Sequence, residues 1–321
     1  MNLDRIPPSL PKSLSRPPDV FAAEAFWKLA DVQVKSGRIS MRIFWSHFNE
    51  ACDMTPDADD PVQRGLVACR IVEHVGNDTL RNMSSEIHLE LLREMTALPV
   101  SMKIRKNAVL RLLATAEVSP AYKAHMQAVQ TRIAKRLDRE MDMQVLQEEW
   151  KRMDGAARLY AIREVSNVYM EEFGVQTLPE VVLVCLPPHK NGMIMFGDTD
   201  EDGKIRINTH PDSGWSSFSS TFNTILHETQ HALCGYMEEG RVPGPCRTTM
   251  ALLAWNAKEY VDARQTSLSG AAYYHGQLLE RDADDAADLI MKHLSRPSSP
   301  KRARRKMPVP VPSMGGQPQG G

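Results

Sequence analysis

Residues 221–236 read TFNTILHETQHALCGY, and they constrain the fold and the chemistry of this chain more than any other stretch. Their apolar residues recur at offsets of three and four, no proline interrupts them, and Gly235 offers a C-terminal stop. The stretch therefore predicts a helix. On that helix His227 and His231 share one face, so both imidazoles can reach one metal ion, and Glu228 can reach the open side of that metal.

The motif His-Glu-Thr-Gln-His is weak evidence alone, because the same offsets arise by chance in unrelated helices. The preceding sequence strengthens it. Residues 193–211, MIMFGDTDEDGKIRINTHP, contain a short apolar run, an Asp/Gly-rich turn and the alternating segment Lys204–Asn208. Together these features predict a β-hairpin. A strand leading into the ligand helix can pair with an extended peptide backbone beside the metal.

Catalytic zinc usually takes three protein ligands and leaves a fourth position open. A continuation of the motif as HExxHxxGxxH is excluded, because Cys234 and Met237 occupy the positions of the glycine and the third histidine. Two downstream glutamates remain as candidates, each on a predicted helix. Glu280 begins ERDADDAADLIM, and Glu259 lies in WNAKEYVDARQ.

At this point the sequence resembles the gluzincin-like minimal metallopeptidases, including the ImmA/IrrE-type putative peptidases of bacteria and phages. In these families the HExxH helix is followed by a helix reading roughly ExxAxxxA, whose glutamate is the third zinc ligand. Glu280, Ala283 and Ala287 match that pattern. The resemblance covers about residues 144–294 and begins with a predicted helix that contains Trp150, Leu159, Ile162, Val165 and Tyr169. The zinc ligands that it implies are His227, His231 and Glu280.

The spacing departs from the ImmA/IrrE pattern, because a predicted extra helix at about residues 248–266 separates His231 from Glu280. The spacing of Glu259 fits that family better, although its surroundings fit worse. Glu259 therefore remains the alternative third ligand.

The catalytic roles follow from the chemistry of such a site. Glu228 is expected to act as general base toward a metal-activated water. An oxyanion stabiliser is also expected, and Tyr273 is the first candidate because it lies seven residues before Glu280. The alternative candidates are Tyr274 and His275. Asp284, one turn beyond Glu280, either orients a ligand histidine or belongs to a solvated acidic face.

Residues 198–209 also resemble the opening of a calcium-binding EF-hand loop, with Asp198, Asp200 and Asp202 at alternate positions. Thr209 stands where the loop needs a bidentate glutamate, and the flanks look like strands. A polar hairpin turn is the favoured interpretation. The five cysteines include no CxxC pair, which argues against a disulfide framework. Two of them are expected in the core, Cys185 and Cys234.

The whole chain has 321 residues and a formal net charge of −1, which argues against a globally basic nucleic-acid binder. No apolar run is long enough for a membrane span. Residues 1–19 lack the apolar region of a secretory signal and are expected to be disordered. We therefore expect a cytoplasmic protein, although such a terminus is also compatible with an effector exported by a specialised secretion system.

The fold class predicted is α+β and mostly helical. A helical module at residues 20–141 precedes a minimal zincin domain at 144–294, which contains a small sheet with a hairpin and the ligand helix. The helices expected in the module are 20–35, 41–52, 60–76, 79–97, 104–116 and 119–141. Residues 295–321 are predicted to be a disordered tail, in which Lys301–Lys306 forms a basic cluster. That cluster is either a nuclear-import or phosphate-binding patch or a solvated linker.

These features lead to two functional hypotheses. The first is a zinc-dependent endopeptidase that acts on a protein or peptide substrate. The alternative is a non-catalytic zinc-binding interaction or sensor protein with a peptidase-like fold. In either case the helical module can bind a protein partner, present the substrate or inhibit the site.

Overall fold

The computed structural model describes residues 17–190, 192–200, 202–259 and 276–295, and this part of the chain is mostly helical. The α-helices are α1 (Pro18–Lys35), α2 (Met41–Cys52), α3 (Pro61–His74), α4 (Asn77–Arg81), α5 (Ser85–Glu94), α6 (Lys103–Thr115), α7 (Pro120–Glu140), α8 (Met143–Glu149), α9 (Gly155–Glu172), α10 (Phe218–Glu238), α11 (Arg247–Lys258) and α12 (Leu278–Leu294). The strands are β1 (Val181–Val184), β2 (Gly197–Thr199) and β3 (Ile205–Asn208). Short 3-10 helices lie at Met95–Ala97 and Pro211–Ser213.

The helices of the N-terminal module begin at local capping signals. The side chains of Ser40, Asp60 and Ser119 accept hydrogen bonds from the first turns of α2, α3 and α7. Proline occupies the first position of α3 and α7, where its missing N–H leaves no helical hydrogen bond unmade. The bounds of most helices predicted for this module are confirmed to within two residues.

The single helix predicted at residues 79–97 is wrong. The chain instead forms α4, then α5, then a 3-10 turn at Met95–Ala97. Ser84 explains the break, because its side chain accepts a hydrogen bond from Ile87 N and begins a new helix there.

The sequence also predicted one continuous helix through Trp150 and Tyr169, and this is wrong as well. Helix α8 ends at Glu149, and α9 begins after Asp154, whose carboxylate accepts a 2.8 Å hydrogen bond from Ala157 N. Trp150 lies in the break and is almost fully buried. The aromatic side chain therefore packs into the core from a loop.

The three strands form one sheet in the order β1-β3-β2. Strand β1 is parallel to β3, and β2 is antiparallel to it, with Asp198 opposite Arg206. The predicted hairpin is confirmed, and the described residues of its turn are held by hydrogen bonds within the hairpin. Asp198 pairs with Arg206 through two hydrogen bonds, and the Asp200 carboxylate accepts hydrogen bonds from the backbone N–H groups of Asp202 and Lys204.

Of the two cysteines predicted to lie in the core, one is buried and the other is not. Cys234 is buried on α10 as expected, whereas Cys185 is exposed. Strand β1 ends at Val184, so Cys185 lies one residue beyond the sheet and outside the pairing that would bury it. The prediction that Cys185 is a core residue is therefore wrong.

The predicted disorder of residues 1–19 extends too far. Pro18 and Asp19 belong to the first turn of α1, and the Asp19 carboxylate is held by Arg70 at 2.8 Å. Residues 1–16 lie outside the described residues, as do residues 296–321 with the basic cluster. None of the helices in the described part of the chain combines the length and the apolar character needed to span a lipid bilayer.

The buried apolar side chains form one continuous cluster from α1 to α12. Helix α7, the last helix of the predicted module, packs against both α9 and α12. The predicted boundary at residues 141–144 coincides with the short connection between α7 and α8, and the division into two domains stays a prediction. The core itself passes across that connection and supports the two helices that carry the candidate ligands.

Candidate metal centre

Helix α10 places the two histidines of the motif toward α12. Its core-facing side buries Phe222, Ile225 and Leu226 completely. Helix α12 packs directly against α10, and the fully buried Ala283 and Ala287 of α12 keep large side chains out of this region. Small residues permit a close approach of two helix backbones. The close approach brings residues of α10 and α12 to a common point.

Three side chains meet at that point. Nε2 of His227 lies 3.0 Å from Nε2 of His231. The two carboxylate oxygens of Glu280 lie 3.4 Å from these nitrogens, one oxygen facing each ring. The candidate ligand atoms all fall within 4.8 Å of one another. Of the two glutamates that the sequence left open, the structure therefore brings Glu280 to the histidines.

The electrostatics of these three groups are strongly coupled. Burial opposes the charged form of His227, but hydrogen bonds to Asp284 and Glu280 outweigh it and raise the pKa of His227 to about 10. Burial also opposes the charged form of Glu280, but hydrogen bonds to both histidines hold the pKa of Glu280 well below its usual range. A cationic imidazole thus neutralises an anionic carboxylate in this cluster.

Glu228 lies beside the triad and is only 7% exposed. Thr199 of β2 donates its hydroxyl to Oε2 of Glu228 at 3.0 Å, and the same hydroxyl lies 2.9 Å from the Glu228 carbonyl oxygen. Burial raises the pKa of Glu228, and the two nearby histidines offset part of that rise. The carboxylate is therefore held in place by the hairpin without belonging to the ligand set.

Strand β2 is seated closely on the ligand helix. A methyl group at Gly197 would lie 2.8 Å from Thr224 Cγ2 and 3.2 Å from Glu228 Cγ. Only glycine fits this contact without displacement, because real Cβ atoms do not approach other heavy atoms to under 3.0 Å. The glycine thus allows the hairpin to reach the general-base candidate.

Asp284 contacts a candidate ligand histidine, as the first of its two predicted roles requires. Its Oδ1 lies 2.9 Å from Nδ1 of His227, on the side of the ring opposite the triad. A carboxylate in this position fixes Nδ1 as the protonated nitrogen and leaves Nε2 free to bind a metal. Asp284 is about half exposed, so the interaction is made at the edge of the site.

Glu259 lies outside the triad. Its Oε1 accepts a 2.5 Å hydrogen bond from Arg105 of α6, whose side chain is almost fully buried. The carboxylate therefore has a structural ion pair in place of a metal. The helix predicted at residues 248–266 is observed as α11, and the segment from residue 260 lies outside the described residues. So do all three candidates for the oxyanion stabiliser: Tyr273, Tyr274 and His275.

A buried polar group next to the candidate ligands was not predicted from the sequence. Asp282 accepts hydrogen bonds from Tyr122 and Gln230, and Gln230 in turn accepts one from Tyr169. Tyr122 and Asp282 are 160 residues apart in the chain, so no local pattern could pair them. The one available signal was Gln230 itself, an amide placed within an otherwise apolar face of α10.

The residues present fit a metal ion. Two imidazoles and one carboxylate form a donor set suited to zinc, and three such ligands leave a position for water or substrate. Within the described residues, these three side chains are the one group of histidine, cysteine and acidic residues close enough to hold a metal. A dication would also replace the proton that balances Glu280 in the metal-free site.

Comparisons with known proteins found no family model that matches the chain, and no curated protein or solved structure with significant similarity. The function of the chain must therefore be inferred from the residues and geometry of the site.

Proposed function

We propose that the protein is a zinc-dependent peptidase that hydrolyses peptide bonds. The observation that carries this proposal is the convergence of His227, His231 and Glu280 from two helices, with Glu228 held beside them. A metal site that only stabilises a fold usually has four protein ligands and needs no neighbouring carboxylate. Three ligands and an adjacent base are the arrangement of a hydrolytic site.

When bound, zinc would polarise the substrate carbonyl and lower the pKa of a water toward neutrality. Glu228 would accept the proton of that water and deliver it to the leaving amine. Two features of the chain suit Glu228 to this task. The Thr199 hydroxyl fixes the position of its carboxylate, and burial raises its pKa toward the range in which proton transfer is efficient near neutral pH.

The hairpin supplies a place for the substrate backbone. Strand β2 pairs with β3 on one side and forms an edge of the sheet as far as the structure describes it. Its outer edge can form main-chain hydrogen bonds with an extended peptide. Because Thr199 of this strand contacts Glu228, a peptide bound there would run past the triad.

The test combines metal content and hydrolysis in four proteins. Wild type and Glu228→Gln should each bind one zinc, whereas Glu280→Gln should lose it. Glu259→Gln is the matched control for Glu280→Gln, because an amide oxygen can still accept the hydrogen bond from Arg105, and this variant should keep its zinc. Mass spectrometry of the reconstituted, desalted proteins measures the metal.

Hydrolysis of a fluorescence-quenched peptide library measures the activity. Glu228→Gln should lose about a thousandfold in rate, because a positioned general base contributes roughly two to four orders of magnitude. Absence of zinc in reconstituted wild type would contradict the whole proposal. Zinc binding with no hydrolysis of any library member would favour the alternative, a non-catalytic zinc-binding sensor or interaction protein.

A further inference from the structure

A buried chain of hydrogen bonds crosses four helices behind the metal centre. Tyr122 of α7 donates its hydroxyl to Oδ2 of Asp282 on α12 at 2.9 Å. Gln230 of α10 donates its amide N–H to the same oxygen at 2.5 Å, and Tyr169 of α9 donates to the Gln230 carbonyl oxygen at 2.5 Å. Asp282 is 8% exposed and the other three side chains are fully buried.

The two central members of this chain adjoin the candidate metal ligands. Gln230 immediately precedes His231 on α10, and Asp282 follows Glu280 by two residues on α12. Successive residues of a helix point in different directions, so Gln230 and Asp282 face the interior while the ligands face the metal site. The bond between Gln230 and Asp282 therefore ties the two ligand helices together directly behind the metal centre.

The two tyrosines fix the orientation of that bond. The Gln230 amide can in principle present either its oxygen or its nitrogen to Asp282. Because Tyr169 donates to the Gln230 oxygen, the nitrogen is directed toward Asp282. Tyr122 lies on α7, the last helix of the N-terminal module, and donates its hydroxyl to the same carboxylate oxygen of Asp282. Satisfied buried polar networks of this kind impose a single arrangement on the elements that they join.

We propose that Tyr122 and Tyr169 are positioning residues of the metal centre. They hold Gln230 and Asp282, which set the distance between the helices of His231 and Glu280. The helical module thereby contributes directly to metal affinity, through a hydroxyl that contacts no ligand itself. This inference rests on the proposed function, because it requires that a metal binds to the triad.

The test uses two isosteric substitutions and one matched control. Tyr122→Phe and Tyr169→Phe each remove one hydroxyl while retaining the ring that fills the core. Tyr160→Phe removes a hydroxyl from the same helix as Tyr169, but its side chain is 50% exposed and lies outside the network. Competition with a chromogenic chelator measures the zinc dissociation constant of each full-length protein, and thermal unfolding in excess chelator measures the stability of the metal-free form.

We expect Tyr122→Phe and Tyr169→Phe each to weaken zinc binding by about tenfold, the lower end of the range for groups that orient metal ligands. Tyr160→Phe should match wild type. A lower unfolding temperature of the metal-free protein with an unchanged zinc dissociation constant would show a purely structural role and overturn the inference. Failure of wild type to bind zinc would instead overturn the proposed function, and this inference with it.

Discussion

The helical module and the candidate metal centre bury charged side chains beside different kinds of partner. In the module, buried Asp19 is paired with Arg70, and buried Arg105 is paired with Glu259. In the metal centre, Glu228 is held by a threonine hydroxyl, and Glu280 faces two histidines.

The two regions differ in whether the basic partner of a buried carboxylate can lose its positive charge. An arginine guanidinium keeps its charge at any pH that a protein tolerates, so its ion pair is permanent. A histidine can lose its proton and then offer a nitrogen lone pair to a metal. Acidic residues buried against arginine thus indicate a structural contact, and acidic residues buried against histidine indicate an exchangeable cation. Glu259 and Glu280, the two candidates for the third ligand, differ in this respect.

The largest effect on stability is expected at Glu259. Glu259→Ala leaves the buried Arg105 guanidinium without its carboxylate, and removing one partner of a buried ion pair costs about 3 kcal/mol or more. Glu280→Ala should cost clearly less in the metal-free protein at about pH 8, because removal of this carboxylate lowers the pKa of His227, which can then lose its proton instead of remaining an unpaired cation. Urea unfolding in excess chelator gives both free energies. Equal losses in the two variants would contradict the distinction between permanent and exchangeable partners.

The next effect concerns the contact between the hairpin and the ligand helix. Gly197→Ala should lower the free energy of unfolding by about 2 kcal/mol, because the added methyl must push β2 away from Thr224 and Glu228. Gly155→Ala is the control. Its methyl would meet no atom within 4 Å at the start of α9, where alanine favours the helix. If Gly197→Ala is as stable as wild type, the strand is not seated on α10 as described.

A smaller effect is expected at Asp284. Asp284→Asn should weaken zinc binding about tenfold, because an amide is a poorer acceptor for the Nδ1 proton of His227 and orients the ring less firmly. Asp288→Asn is the matched control, since it removes the same charge one turn farther along α12 from an exposed side chain. Chelator competition measures both variants. An equal loss in the two would show that net charge alone, and not the bond to His227, sets the affinity.

Local sequence signals predicted the parts of this molecule that depend on local chemistry. The spacing of His227 and His231, the hairpin before them and the alanines that follow Glu280 all act within a few residues. The pairing of Glu259 with Arg105 depends on residues 154 positions apart, and that of Asp282 with Tyr122 on residues 160 positions apart. The predictions of a continuous helix through Trp150 and of a buried Cys185 failed for a related reason. Apolar character indicates burial or a strand, but it does not show where a strand ends or whether a buried residue lies in a helix.

The smallest effect contrasts two histidines. His88 of α5 is buried in the module, its Nδ1 lies 3.0 Å from the Ser84 carbonyl oxygen, and burial lowers its pKa below the ordinary value of 6.5. The pKa of His227 is shifted in the opposite direction, because carboxylates surround it. Below about pH 6.5 the unfolded chain binds a proton at position 88 more readily than the folded chain does, so this group lowers stability as the pH falls and has little effect above that pH. The slope from one such group reaches at most about 1.4 kcal/mol per pH unit. His88→Gln should therefore reduce the loss of stability as the pH falls below about 6.5 in chelator, as measured by urea unfolding, and leave the stability difference from wild type constant above that pH. An unchanged slope in His88→Gln would mean that His88 accepts its proton in the folded protein, and that burial alone does not separate the histidines of the module from those of the metal centre.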